Sequence, residues 1–485
     1  MNHNKKWAVV GSGPAGFAVA NILLDLGIEV TLIDANLEEN DEYIFPNLDR
    51  LSLKTKFDSD LAYRHFPKGP EINVGESEVK QSFEGGGLSS IWGATILPYT
   101  ERDITNWPLN LSQLKESYQF ISKKIPVTSS DFSSSSDYMD FSSRDKLIIP
   151  DEINKLITSI KFKCPDISVN QSQISIENSS KSTNQCIYCN ECFAGCRYNS
   201  IWSSKSFFDN SKLKKFDKIR VLSLSDSEDC IKITYCDLEG TIFNNLQFSK
   251  IFLATGPVET FRILSESGLA PKNVELLDSG TFYKLFFRLK NRSKTVTNYS
   301  LSKFYIRLQD ENLIHPHFQF YEMDSHKIDI LKKNYKLLKL VPKFLLNYVF
   351  SYFLLCIGYM NSEITPRIAM SRDQNGNINL VPKIYKEKRQ KSRLIAKKLE
   401  KELKKVGIFS FRFLEQNHAS GSGTHYGGWL PMGAKCDLQG RPYNTKNIHI
   451  VDSSIFNDIP AGPITFTIMA NSARIGREVW EEEFL

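Results

Sequence analysis

The stretch from Lys6 to Asp34 constrains the fold more than any other part of the chain. Lys6–Val10 is a short apolar run with strand character, GSGPAG follows at once, and an apolar helical pattern continues to about Leu26. Pro14 suits a first helical turn, where its missing N–H has no partner to lose, and Gly27 suits a C-terminal cap. A second strand, Glu29–Asp34, closes the unit. Strand, glycine turn, helix and strand in this order open a parallel, doubly wound α/β sheet.

Gly11, Gly13 and Gly16 give the turn its G-x-G-x-x-G spacing. The first allows a tight turn, the second lets backbone approach a pyrophosphate, and the third permits close packing of helix on strand. Pro14 and Ala15 begin a helix whose N-terminal N–H groups and dipole favour an anion. Asp34 ends the second strand, near the distance at which an acid receives ribose hydroxyls. Together these residues imply a dinucleotide site. A second glycine-rich element, Gly85–Gly93, offers Gly86, Gly87, Ser89, Trp92 and Gly93 to a large cofactor, with a plain turn as its alternative. A third surrounds Thr255 and Gly256, ahead of a helix carrying Glu259 and Arg262. A fourth surrounds Asp452, just before a helix at Thr465–Val479.

Cys186, Cys189, Cys192 and Cys196 stand in the pattern C-x2-C-x2-C-x3-C (CIYCNECFAGC). So compact a set of thiolates can turn toward one centre. It reads as the ligand set of an iron–sulfur cluster, 4Fe-4S if all four bind and 3Fe-4S if three do. Structural zinc, disulfides and a redox C-x-x-C pair are the alternatives, although zinc ligands usually form two pairs across a longer spacer. Arg197 rather than proline follows the last cysteine and no second run occurs, unlike a two-cluster ferredoxin. The remaining five of the nine cysteines are scattered and read as packing residues.

At 485 residues, 41% hydrophobic and 24% charged, the composition is that of a globular protein of two domains. A net charge of +6 over this length gives no case for nucleic acid. MNHNKK leads into the first strand without a secretory pattern, so the expected location is cytoplasmic. Aromatic and β-branched runs from Ala270 to Pro382 predict a mostly antiparallel sheet. Serine-rich stretches at Thr128–Asp137 and Gln171–Gln185 read as loops. The basic helix expected over Lys386–Val406 puts Leu394, Ile395, Leu399, Leu403 and Val406 on one stripe. Phe344–Met360 is apolar and follows five lysines, but seventeen residues are marginal for a bilayer span. It reads as a buried helix running into a strand, with a peripheral membrane contact as the other reading.

The succession GSGPAG, GGGLSSIWG, LATGPVETFRIL, HYGGWLPMG and HIVDSSIFNDIPAGPITFTIMANSARIG resembles the glucose–methanol–choline (GMC) oxidoreductases, over residues 5–110, 185–270 and 415–480. The resemblance implies FAD as the dinucleotide, held by the residues above and Pro463. It implies a discontinuous, Rossmann-like FAD-binding domain of 1–110, 185–270 and 415–485. The second, mostly antiparallel β (α+β) substrate domain would comprise 111–184 and 271–414. The family's catalytic histidine corresponds to His425, whose ordinary pKa suits a base toward a hydroxyl. His418 lies on the same approach, and His315 and His317 share one strand face. The family's second polar residue, histidine or asparagine before the last proline, is Gly462 here. Asn457 or Asn471 would supply that contact, or the substrate binds differently.

The expected activity is a dehydrogenase acting on a CH–OH group of a sugar, sugar conjugate or polyol. Hydride passes to FAD and electrons leave through the cluster to a redox protein or a membrane quinone. Two alternatives remain: a flavin reductase for a keto or unsaturated substrate, and a non-catalytic electron-transfer or assembly subunit.

Overall fold

The computed structural model describes residues 6–38, 66–128, 146–194, 196–228, 230–289, 298–309, 314–383, 386–417 and 419–485. His418 and most of the serine-rich stretch after Thr128 lie outside the described residues.

Trp7–Val10 is the middle strand of a five-stranded parallel sheet, ordered Ile448–Ile450, Lys250–Leu253, Trp7–Val10, Val30–Ile33, Lys214–Phe216. Four of these strands are buried throughout, as parallel strands covered on both faces must be. Helix Pro14–Asp25 follows the glycine turn and packs on the C-terminal helix Thr465–Phe484. One end of the chain thus completes the sheet and the helix layer begun by the other.

A six-stranded antiparallel sheet forms the second core. Its order is Ile408–Asn417, Thr281–Arg288, Phe353–Tyr359, His317–Glu322, Phe304–Leu308, Ile167–Gln171. Phe286, Phe304, Phe318 and Phe320 pack against Ile157 and Ile160 of helix Asp151–Lys163 and Ile395 and Leu399 of helix Lys386–Lys404. Of the predicted stripe on the latter helix, Ile395, Leu399 and Leu403 are buried, but Leu394 is 58% exposed. At 100° per residue it turns away from its neighbour Ile395.

A mixed sheet joins the two cores, in the order Tyr426–Gly427, Asn273–Asp278, Ile368–Arg372, Ile378–Pro382, Ile72–Asn73. Three antiparallel strands, Arg220–Asp226, Ile231–Cys236 and Ile242–Phe248, form a fourth sheet. The core around the parallel sheet also takes in Leu276, Met370 and Leu380, and the helix Ser112–Lys124. That helix is pinned to the C-terminal one, with the Tyr118 hydroxyl 2.6 Å from Thr467 Oγ1. These segments fall within the ranges expected for the substrate domain and share a core with the parallel sheet, a long-range packing that motif positions alone do not reveal.

Phe344–Met360 divides between the helix Lys343–Phe350 and the strand Phe353–Tyr359. Among the described residues no helix is long and apolar enough to cross a membrane.

Candidate active site

A cavity of about 400 Å³ opens at the C-terminal ends of the parallel strands and runs to the antiparallel sheet. This is where open α/β sheets bind ligands. Its first wall is Gly11, Gly13, Pro14, Ala15 and Asp34. Gly11 has φ +104°, and a Cβ there would stand 2.5 Å from the Ala254 carbonyl oxygen. Gly16 and Gly86 do not line the cavity; they shape its wall from behind, Gly16 through the close helix–strand packing expected of the third glycine. A Cβ on Gly16 would collide with the Gly11 carbonyl. The Gly86 N–H donates to Ser12 Oγ at 2.9 Å, which ties the second glycine element to the first. From that second element Gly87, Ser89, Trp92 and Gly93 reach the wall.

Asp34 accepts from the N–H groups of Ser12 and Asn36, each at 2.6 Å. Desolvation nevertheless pushes its carboxyl up to about 6. Thr255, Gly256, Asp452 and Pro463 line the opposite side. Asp452 accepts from Thr260 Oγ1 at 2.6 Å and from the Ser454 N–H at 2.8 Å. Nearby, Glu259 receives Arg220 Nε and Nη2 at 2.8 and 2.9 Å and Arg262 Nε at 2.9 Å. Burial opposes ionisation of Glu259, but the two guanidinium groups win and hold it at about 2.

His425 lies on the wall at the other end. Thr424 before it has φ +56°, a backbone conformation found where the fold over-determines a side chain's position. Burial pushes the imidazole down to about 4, and its Nδ1 is buried without a hydrogen-bond partner. The Tyr359 ring covers it.

Residues 370–472 match the GMC oxidoreductase family model. This GMC segment includes His425, Asp452 and Pro463. The fold is similar to pyridoxine 4-oxidase from Mesorbium loti, with TM-score 0.63, 13% identity and 99% of each chain covered. It is also similar to a formate oxidase variant from Aspergillus oryzae RIB40, with TM-score 0.66, 14% identity and 99% of each chain covered. No curated protein matches the sequence.

Within the GMC segment, Gly462 faces Arg307: a Cβ there would lie 3.1 Å from Arg307 Nη2. The guanidinium, paired with Asp103 at 3.6 Å, would have to give way by a few tenths of an ångström for a side chain at 462. Neither asparagine considered as a replacement lines the cavity. Asn457 Nδ2 donates to the Met432 carbonyl at 2.9 Å, and Asn471 Oδ1 accepts from Arg474 Nε at 3.0 Å. The paired histidines also separate. His315 precedes the strand, whereas His317 is buried opposite Tyr359 and stacks on Tyr305 at 4.9 Å.

The sequence reading missed Tyr283, Gln319, Tyr321 and Tyr359, all on the cavity wall. A signal existed for two of them. In His317–Glu322 the core residues Phe318 and Phe320 alternate with Gln319 and Tyr321, which belong to the opposite face. The Tyr321 hydroxyl donates to Gln319 Oε1 at 2.6 Å.

Cys186, Cys189, Cys192 and Cys196 line one small cavity of their own, and none forms a disulfide. The Ser200 N–H donates to Cys196 Sγ at 3.2 Å and the Ser300 N–H to Cys192 Sγ at 3.3 Å. Burial, with the other three cysteines adding to it, pushes the Cys186 thiol up to about 11. Among the described residues no three histidine, cysteine or acidic groups gather around a point suited to one metal ion. Two buried lysines sit beside this loop. Lys303 Nζ donates to Asn298 Oδ1 at 2.8 Å, and Lys327 Nζ lies 4.3 Å from the Phe193 ring centroid. Phe193 in turn lines the large cavity, 6.0 Å from the Tyr321 ring.

Proposed function

We propose that the chain is an FAD-dependent oxidoreductase of the GMC type that oxidises a CH–OH group of a sugar, sugar conjugate or polyol. One observation carries the reading: a buried, neutral histidine shares a cavity with two glycine turns and an acid at a strand end. The donor set fits FAD. Gly11 and Gly13 leave backbone uncovered beside a helix N-terminus, and Asp34 retains acceptor capacity for ribose hydroxyls. When bound, FAD would supply the acceptor for hydride.

The chain's own residues would do the remainder. His425 takes the hydroxyl proton, its neutral form ready at physiological pH because burial disfavours the cation. Tyr359 fixes the plane of that imidazole. Tyr321 and Gln319 present hydroxyl and amide groups from the sheet, which suits a substrate with several hydroxyls. The matched segment and the fold support the coarser part of this reading, an FAD-dependent oxidoreductase, and the choice of a polyhydroxylated substrate rests on the cavity wall. Anaerobic mixing of FAD-loaded protein with a panel of polyols and sugars tests it: the substrate should bleach the flavin absorption, and no bleaching by any alcohol would overturn it.

In the same proposal Cys186, Cys189, Cys192 and Cys196 would hold an iron–sulfur cluster, which would supply one-electron transfer between the flavin and a redox protein or quinone. Its support is positional: Cys192 lines the cysteine cavity, and its neighbour Phe193 lines the large one. N–H groups directed at two of the sulfurs favour negative charge there. That arrangement favours a dehydrogenase over an oxidase.

A further inference from the structure

The described surface carries one apolar patch that the redox chemistry does not use. Ser325–Asn334 is a helix, Lys336–Leu340 a tight 3-10 turn and Lys343–Phe350 a second helix. One side of this unit is anchored: Ile328, Leu346 and Phe350 are buried against Leu285 of the antiparallel sheet. The other side is bare. Leu337, Leu340 and Phe344 are 80%, 82% and 77% exposed, and Leu345, Tyr348 and Val349 are about half exposed beside them. Large apolar side chains clustered in this way mark an interaction site.

Charge identifies the occupant. The same stretch contains Lys332, Lys333, Lys336, Lys339 and Lys343, whereas Asp329 is its one acid. Lys339 and Lys343 are exposed beside the apolar tips, with Lys343 3.5 Å from Asp329 in a solvent-screened pair, so the stretch keeps a net positive charge. Apolar side chains flanked by lysines, with a tyrosine among them, suit the boundary between acyl chains and anionic headgroups. We propose that residues 335–349 dock the enzyme peripherally on the surface of an anionic lipid bilayer. The contact lies on the turn and second helix, not on the strand Phe353–Tyr359, whose Leu354 and Cys356 are buried. Lys327, in the first turn of Ser325–Asn334, touches both Phe193 and the Ser300 carbonyl, so the docked unit is tied directly to the cysteine loop. An acceptor dissolved in the bilayer would meet the protein on this side. Docking itself does not depend on whether the cysteines hold a cluster.

The full-length protein is sedimented with phosphatidylcholine vesicles and with vesicles containing phosphatidylglycerol. The proposal expects binding to the anionic vesicles alone, weakened by salt. Leu340→Glu with Phe344→Glu, and separately Lys339→Glu with Lys343→Glu, should each reduce the bound fraction about fivefold or more. Because these side chains are exposed, thermal unfolding of both variants should match the wild type, which separates lost docking from lost folding. Wild-type protein that ignores anionic vesicles, or variants that bind as well as wild type, would overturn the proposal. So would a dimer in solution that Leu340→Glu with Phe344→Glu dissolves while vesicle binding is absent, since the face would then join two copies.

Discussion

The Tyr359 ring stacks on the His425 imidazole, with centroids 5.0 Å apart and planes inclined by 22°. One residue comes from the antiparallel sheet and the other from the GMC segment, so the stack closes the cavity where its two halves meet. His425→Ala should lower turnover about a hundredfold or more, the usual contribution of a positioned base. The flavin content of the purified variant should stay at the wild-type level. Rapid-mixing absorbance measures both, and unchanged flavin bleaching would remove His425 from the mechanism.

The pH profile follows from the same residue. Its folded value of about 4 lies below the ordinary histidine value, so the fold favours the neutral ring. That preference stabilises the protein above about pH 6.5 and is lost as pH falls through about 4. With FAD in excess, kcat/KM should stay level on the acid side until about pH 4. A titration near the ordinary histidine value would contradict this assignment.

Gly11→Ala should abolish cofactor retention. Its φ of +104° and the 2.5 Å approach to the Ala254 carbonyl leave no room for a methyl group. The strain should cost about 1–3 kcal/mol in urea unfolding. Gly27→Ala is the control: φ is +81°, yet nothing lies within 4 Å. This second variant should lose some stability but keep its flavin-to-protein ratio.

Glu259→Gln should destabilise the protein by about 3–5 kcal/mol near neutral pH, because Arg220 and Arg262 would lose their buried counter-charge. The held-down carboxyl stabilises the fold above the ordinary glutamate value, and this contribution fades as pH falls toward about 2. Urea midpoints of wild type and variant should therefore converge as the pH is lowered. A constant gap would mean that packing, not charge, is what the substitution removes.

Cys192→Ser should lower iron and acid-labile sulfide in anaerobically purified protein, whereas Cys436→Ser should not. Cys436 is buried elsewhere and donates to the Leu430 carbonyl at 3.2 Å. Elemental analysis decides the matter, and zinc without sulfide in the wild type would end the electron-relay reading.

Local signals were legible wherever one short stretch carries both the conformation and its purpose. The glycine turn before Pro14 is such a case, and Asp34 stands directly after the strand Val30–Ile33, at the wall of the cavity. The break in the GMC pattern at Gly462 could also be seen in the sequence. Its consequence could not, because Arg307 arrives there from a strand far away in the chain. The fate of Phe344–Met360 was similarly half-readable: apolar content announced burial, yet only packing decided which side chains meet the core and which meet solvent.

By itself, the sequence determined the parallel βαβ opening, the glycine turns, the cysteine spacing and the position of His425, because backbone conformation and residue chemistry act over a few neighbours. The tertiary structure alone decided that Tyr359, Tyr321 and Phe193 line the same cavity as those turns, and that Leu340 and Phe344 are left bare. Which face of a strand or helix becomes wall, core or surface depends on the layer packed against it, and that layer is supplied by residues distant in the chain.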